Sequence, residues 1–197
     1  MWTIGNGESR QGINLSKLDG PKVGCNAIIR HCDVDYLVCV DRRMVDEAID
    51  RKANENSLVF TRSEWHGRYK EHKRIRILPE LPYVGSERWD DPFQWGSGPY
   101  AVLVATKYQK EKEVKLIGFD LYSKTKFVNN IYKDTPNYDS GNKRAVDPRY
   151  WIHQIGMVFN CFPKIQFTIY QDNWDLPKAW NYPNVKVDTL SNIYYNT

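Results

Sequence analysis

The feature that most constrains this chain is the alternation of short apolar runs with helix-like stretches. Runs at Trp2–Ile4, Val23–Cys25, Tyr36–Val40, Leu58–Thr61, Ile75–Leu78, Val114–Ile117 and Ile165–Tyr170 are bounded by Gly, Asp and Asn. Their length and their β-branched and aromatic content read as strands. Between them, Arg43–Lys52, Pro99–Tyr108 and Pro148–Phe162 read as helices, with Pro99 in a first turn and Asp147 as a candidate N-cap. Apolar strands alternating with helices predict fold class α/β, with a mainly parallel sheet flanked by helices. A length of 197 residues fits one core, and no internal repeat or Ser- or Gly-rich linker divides it, so a single domain over 1–197 is expected.

Composition removes several classes. With 41% hydrophobic and 14% aromatic residues the chain buries a real core, which excludes a disordered protein. Lys plus Arg number 28 against 24 for Asp plus Glu, a net +4 that gives mild attraction to phosphates rather than a nucleic-acid coating. The start at Met1 shows no basic segment followed by an apolar stretch, and no window reaches the roughly 18 apolar residues of a membrane span. A cytoplasmic protein is expected. Cys25, Cys32 and Cys39 lie seven residues apart and Cys161 stands alone, a spacing unlike zinc pairs, so buried free thiols are expected. The chain lacks the zinc-protease motif and the Walker-type phosphate loop.

Chemistry-bearing residues gather at strand ends. Gly5-Asn6-Gly7-Glu8-Ser9-Arg10 follows the first run directly. In a parallel sheet ligands bind beyond the carboxyl ends of the strands, where Gly5 and Gly7 let amides approach a phosphate; a tight structural turn explains them equally well. Arg10 stands where a dinucleotide fingerprint needs its third glycine, which disfavours a NAD site. Asn26 ends the second run, Asp41 follows the third as either a helix cap or a ligand group, and Ser97-Gly98 open an apolar helix whose free amides suit an anion. Asp120 and Tyr122 follow Val114–Ile117 at the same edge. Residues 122–147 form a long polar segment, either a lid or a plain connection. The basic stretch His66–Arg76 is either a solvated face or a surface for nucleic acid or an anionic acceptor.

The ordered set Gly5-Asn6-Gly7-x-Ser9, Cys25-Asn26, Ser97-Gly98 and Gly118-x-Asp120-x-Tyr122 resembles the bacterial sialyltransferases of glycosyltransferase family 42. It is also similar to the related domains that contain the 6-hydroxymethylpterin diphosphokinases. The resemblance covers roughly Ile4 to Phe162 and departs at Glu8, where the family has proline, and at Gly96, where it has threonine. It implies a single Rossmann-like domain, a variant of the nucleotide-sugar glycosyltransferase fold, using a CMP-linked sugar with no cofactor and no bound metal. Carried onto matching positions, Gly5, Asn6, Gly7, Ser9, Asn26, Ser97, Gly98 and Asp120 hold the nucleotide, and Tyr122 meets the leaving phosphate. His153 stands where the family places its catalytic base.

Imidazole suits that role on its own chemistry, because its reference pKa near 6.5 lets it accept a proton from an acceptor hydroxyl at neutral pH. A hydrogen-bonded packing role explains His153 as well. The expected function is transfer of a sugar from a nucleotide-sugar donor to a glycan, or to a modified base in DNA. The alternative is a nucleotide-binding or sequestering module without turnover, in keeping with a similarity to short phage-encoded proteins. A diphosphokinase reading would need Asp41 and Asp120 to hold magnesium. A homo-oligomer is left open.

Overall fold

In the computed structural model, which describes residues 1–172 and 174–193, the strands form one eight-stranded sheet in the order β5-β4-β3-β2-β1-β6-β7-β8. They are β1 (Trp2–Ile4), β2 (Lys22–Cys25), β3 (Tyr36–Val38), β4 (Leu58–Thr61), β5 (Ile75–Ile77), β6 (Glu113–Ile117), β7 (Gln166–Tyr170) and β8 (Val185–Asp188). Every pair is parallel, with Thr3 opposite Val23 on one side of β1 and opposite Leu116 on the other. The helices are α1 (Arg42–Asp50), α2 (Ala53–Asn56), α3 (Ser63–His66), α4 (Ser97–Tyr108) and α5 (Arg149–Cys161). The protein is a single Rossmann-like α/β domain.

Parallel strands need crossovers, so both faces of the sheet are covered, and successive residues of one strand feed different layers. Val38 packs in a core with Ala101 to Ala105 of α4 and Ile155, Val158 and Phe159 of α5. Its neighbours Leu37 and Cys39 belong to the opposite layer, with Met44 and Val45 of α1. That second layer also contains Tyr132, only 2% exposed, which comes from the 122–147 segment. The segment is therefore built into a core. Its one strand-like feature is a bridge between Phe127 and Arg144.

Chain order fixes where a ligand can enter. From β1 the chain runs outward through β2, β3, β4 and β5, then returns to place β6 on the other side of β1 and continues to β7 and β8. The loops leaving β1 and β6 therefore diverge and open a crevice at their carboxyl ends. α4 leads into β6 and runs against the strands, so its N-terminus reaches that same edge.

Candidate functional site at the switch point

The crevice is a cavity of about 270 Å³ lined by Gly5, Asn6, Gly7, Asn26, Ser97, Gly98 and Asp120, together with Asp41, Asn129, Asn130 and Trp151. Volumes of this order suit a mononucleotide fragment or a sugar, near the lower end of small-ligand sites.

Two glycines make the crevice. Beyond β1 and β6 the backbone pairing continues, with the Gly5 amide donating to Ile117 O and the Gly7 amide to Gly118 O, both at 2.8 Å. A Cβ on Gly5 would lie 2.3 Å from Gly118 O, and one on Gly7 would lie 2.4 Å from Cγ of Asp120. The bare Gly7 thus lets Asp120 come alongside. There its Oδ2 accepts from the Ser9 amide at 2.8 Å and its Oδ1 from the Ser9 hydroxyl. Ser9 itself does not line the cavity, and its role is to fix the carboxylate.

On the far wall, Asn26 is held at φ 52, a left-handed conformation that asparagine tolerates better than most side chains. Its Oδ1 accepts from the Ser97 hydroxyl at 2.9 Å, and the same hydroxyl accepts from the Val40 amide at 3.2 Å. No described residue takes Nδ2 of Asn26. α4 begins at Gly96 without a side-chain cap, so the first amides of the helix are open to a ligand at its positive end. Asn6 donates Nδ2 to Cys25 O at 3.4 Å and to the Tyr138 hydroxyl at 3.2 Å. Its Oδ1 is buried without a partner among the described residues. Burial pushes the Tyr138 phenol upward, so it stays protonated.

No Lys, Arg or His lines the cavity among the described residues, whereas Asp41 and Asp120 do. One positive charge, that of Arg10, is set behind the floor. Arg10, 3% exposed, donates Nε to Gly5 O at 2.6 Å and Nη2 to the Tyr132 hydroxyl at 3.0 Å, and pairs with no carboxylate among the described residues. Burial drives the floor thiol of Cys25 up to about 12, with the Arg10 charge pulling the other way, so the thiol stays protonated. All four cysteines are free; Cys25 and Cys39 are buried as expected, whereas Cys32 and Cys161 are only half-buried.

Besides Ser9, two expected residues lie outside the crevice. Tyr122 is 45% exposed against Trp174 and lines a neighbouring cavity on the other side of Asp120. His153 points away because α5 turns Trp151 and Ile155 to the crevice, and a residue two positions after Trp151 sits roughly 200° around the helix. His153 Nε2 meets Asp90 Oδ1 at 2.6 Å instead. Burial, the largest influence on Asp90, pushes its carboxyl upward, but bonds from His153, the Glu87 amide and Tyr83 outweigh it and hold the carboxyl below its ordinary range. Asp41 does not cap α1, and Asp147 accepts from the Arg149 amide at 3.0 Å although Pro148 holds the N-cap position.

The basic stretch lies at the edge strand β5, four strands from β1 or roughly 19 Å at ordinary strand spacing. None of its residues lines the crevice. Arg74 and Arg76 donate to backbone carbonyls at Asn56, Ser57, Lys73 and Ile75. The 122–147 segment does close over one side: Ile131 N donates to Asn6 O at 2.9 Å and Glu8 N to Asn129 Oδ1 at 2.8 Å. Sequence reasoning missed Asn129, Asn130, Tyr138 and Trp151, whose positions depend on how that segment and α5 pack.

No helix among the described residues is long and apolar enough to cross a membrane. No group of three or more His, Cys, Asp or Glu able to hold a metal is found among them. Comparison with protein-family models, with curated proteins and with solved structures finds no match to this chain.

Proposed function

We propose that the protein transfers a sugar from a nucleotide-sugar donor to a hydroxyl acceptor, with the donor across the carboxyl edge between the Gly5 loop and the first turn of α4. The observation that carries this reading is the convergence of Asn6, Asn26, Ser97, Gly98 and Asp120 on one switch-point cavity. These residues come from widely separated parts of the chain. The similarity to family 42 glycosyltransferases supports a CMP-linked donor on the same residues.

The chemistry of the lining suits a hydroxyl-rich ligand with an anionic end. Side-chain amides offer donors and acceptors to a base or to sugar hydroxyls, and Trp151 offers a flat apolar surface. A ligand donor reaching Oδ1 of Asn6 would recover about 1–3 kcal/mol of desolvation cost. The phosphate rests on the open amides at Ser97 and Gly98, and the buried Arg10 charge offsets part of its own. A second cavity of about 160 Å³ shares Asp120, Asn129, Asn130 and Trp151 with the first and gives an acceptor access to the same point. Asp120, fixed by Ser9, takes the acceptor proton as the acceptor oxygen bonds to the sugar carbon and the phosphate oxygen leaves with its bonding pair.

A thermal-shift panel of CMP, CDP, UDP, GDP, ATP and their sugar conjugates, with and without magnesium, tests the reading. A ligand at about 100 times its Kd adds roughly 2.7 kcal/mol. For a domain of this size that raises Tm by about 5–10 °C. A CMP-selective rise without magnesium is expected. An ATP rise that needs magnesium supports a diphosphokinase instead, and no rise with any nucleotide removes the proposal.

The placement of His153 and Tyr122 away from the crevice favours one second reading, a nucleotide-binding module without turnover. It is distinguished by nucleotide binding with no product from any sugar donor.

A further inference from the structure

A larger cavity, about 670 Å³, opens on the face of the sheet that carries α1, and among the described residues it shares no lining residue with the switch-point crevice. Among its described lining residues are Arg10, Lys22 and His31, with Asp33 the one carboxylate. Arg10 is 3% exposed, its Nε and Nη2 are taken by neutral partners, and Nη1 makes no hydrogen bond to a described residue. Among the described residues, Lys22 Nζ reaches only Gly20 O, at 3.3 Å. Nδ1 of His31 lies 3.2 Å from the Tyr132 hydroxyl that also receives Arg10. A guanidinium buried without a counter-ion is costly, and an oxyanion is the partner that would offset the cost.

We propose that this cavity is a separate binding site for a phosphomonoester of a small polar metabolite. The three terminal phosphoryl oxygens match the Arg10 guanidinium, the Lys22 ammonium and the His31 ring, which protonates as the phosphoryl group binds. The volume exceeds what a bare phosphate fills, and Gln11 and Ser16 line the remainder for a hydroxylated body. The site stands whether or not the crevice takes a nucleotide.

The test is calorimetry on the full chain with ribose 5-phosphate, inorganic phosphate and ribose as probes, repeated on Lys22→Gln, His31→Gln and Ser97→Ala. Lys22 and His31 are partly or well exposed, so both variants retain the core. Ribose 5-phosphate binds tightest, Lys22→Gln and His31→Gln each weaken it about tenfold, and Ser97→Ala leaves it unchanged. Burial and the charges of Arg10 and Arg30 hold the His31 imidazole below its ordinary pKa. The groups acting on it are Arg10, Arg30 and the Tyr132 hydroxyl, with Lys22 and Asp33 elsewhere on the same cavity wall, and the bound phosphoryl group raises its NMR titration midpoint. No binding, equal affinity for inorganic phosphate, unchanged affinity in both site variants, or loss in Ser97→Ala each overturns the proposal.

Discussion

The Ser97 hydroxyl donates to Oδ1 of Asn26 at 2.9 Å, tying the first residue of α4 to the end of β2 across the mouth of the crevice. It also accepts the Val40 amide at 3.2 Å, so one side chain joins β2, the chain leaving β3 and the helix that leads into β6. Asn26 is thereby aimed with its carbonyl spent and its amide nitrogen unspent.

Ser97→Ala leaves the Val40 amide and Asn26 Oδ1 without this partner in a site where Ser97 is 5% exposed. Stability falls by about 1–3 kcal/mol in urea denaturation, and affinity for the nucleotide falls with it.

Gly5→Ala and Gly12→Ala separate close approach from backbone conformation. The new Cβ at Gly5 meets a backbone oxygen at 2.3 Å that no rotamer can move, whereas Gly12, at φ +85, has nothing within 4 Å. Denaturation of Gly5→Ala shows a loss of roughly 3 kcal/mol or more. Gly12→Ala loses about 1–2 kcal/mol from the left-handed conformation alone.

Acid stability reports the clamp that joins the 122–147 segment to α1. Glu47 accepts from Arg30 Nε at 2.6 Å and Nη2 at 2.7 Å, and from Asn137 Nδ2 at 3.0 Å. The Arg30 bonds are the largest influence and, against burial, lower its pKa from 4.5 to about 2. A carboxylate whose folded pKa is depressed contributes stability above its unfolded pKa and loses that contribution as pH falls toward the folded value. Between pH 6 and pH 3 the wild type therefore loses about 2 kcal/mol more than Glu47→Gln, as urea denaturation at the two pH values measures.

His153→Ala strips the buried Asp90 of the partner at 2.6 Å, where the Asp90 side chain is 6% exposed. A loss of about 1–3 kcal/mol in stability with unchanged nucleotide affinity is expected. A large change in affinity with full stability would place His153 in the site instead.

Much of this was legible because strand ends translate directly into position. Once β1, β2 and β6 are recognised as parallel strands, Gly5, Asn26 and Asp120 must share an edge. β8 escaped because Val185–Asp188 is an edge strand with Lys186 and Val187 exposed, so it lacks the apolar run that marked the others. Helical phase was less legible. Whether Trp151 or His153 faces the crevice depends on how α5 seats against α4 and on the Trp180 indole, which donates to Ile152 O at 2.7 Å. The 122–147 segment read as either a lid or a plain connection because its apolar positions are scattered. Tyr132 nevertheless buries itself against Arg10, and Arg30 clamps Glu47 beside it, contacts that no local pattern announces.

The crystal structure of the protein soaked with CMP or a CMP-sugar tests the central claim most directly. The account predicts density in the switch-point crevice, with phosphate at the Ser97 and Gly98 amides and the nucleoside within hydrogen-bond reach of Asn6 and Asn26. A nucleotide bound elsewhere with the crevice empty, or a crevice that closes around no nucleotide at saturating concentration, would contradict it.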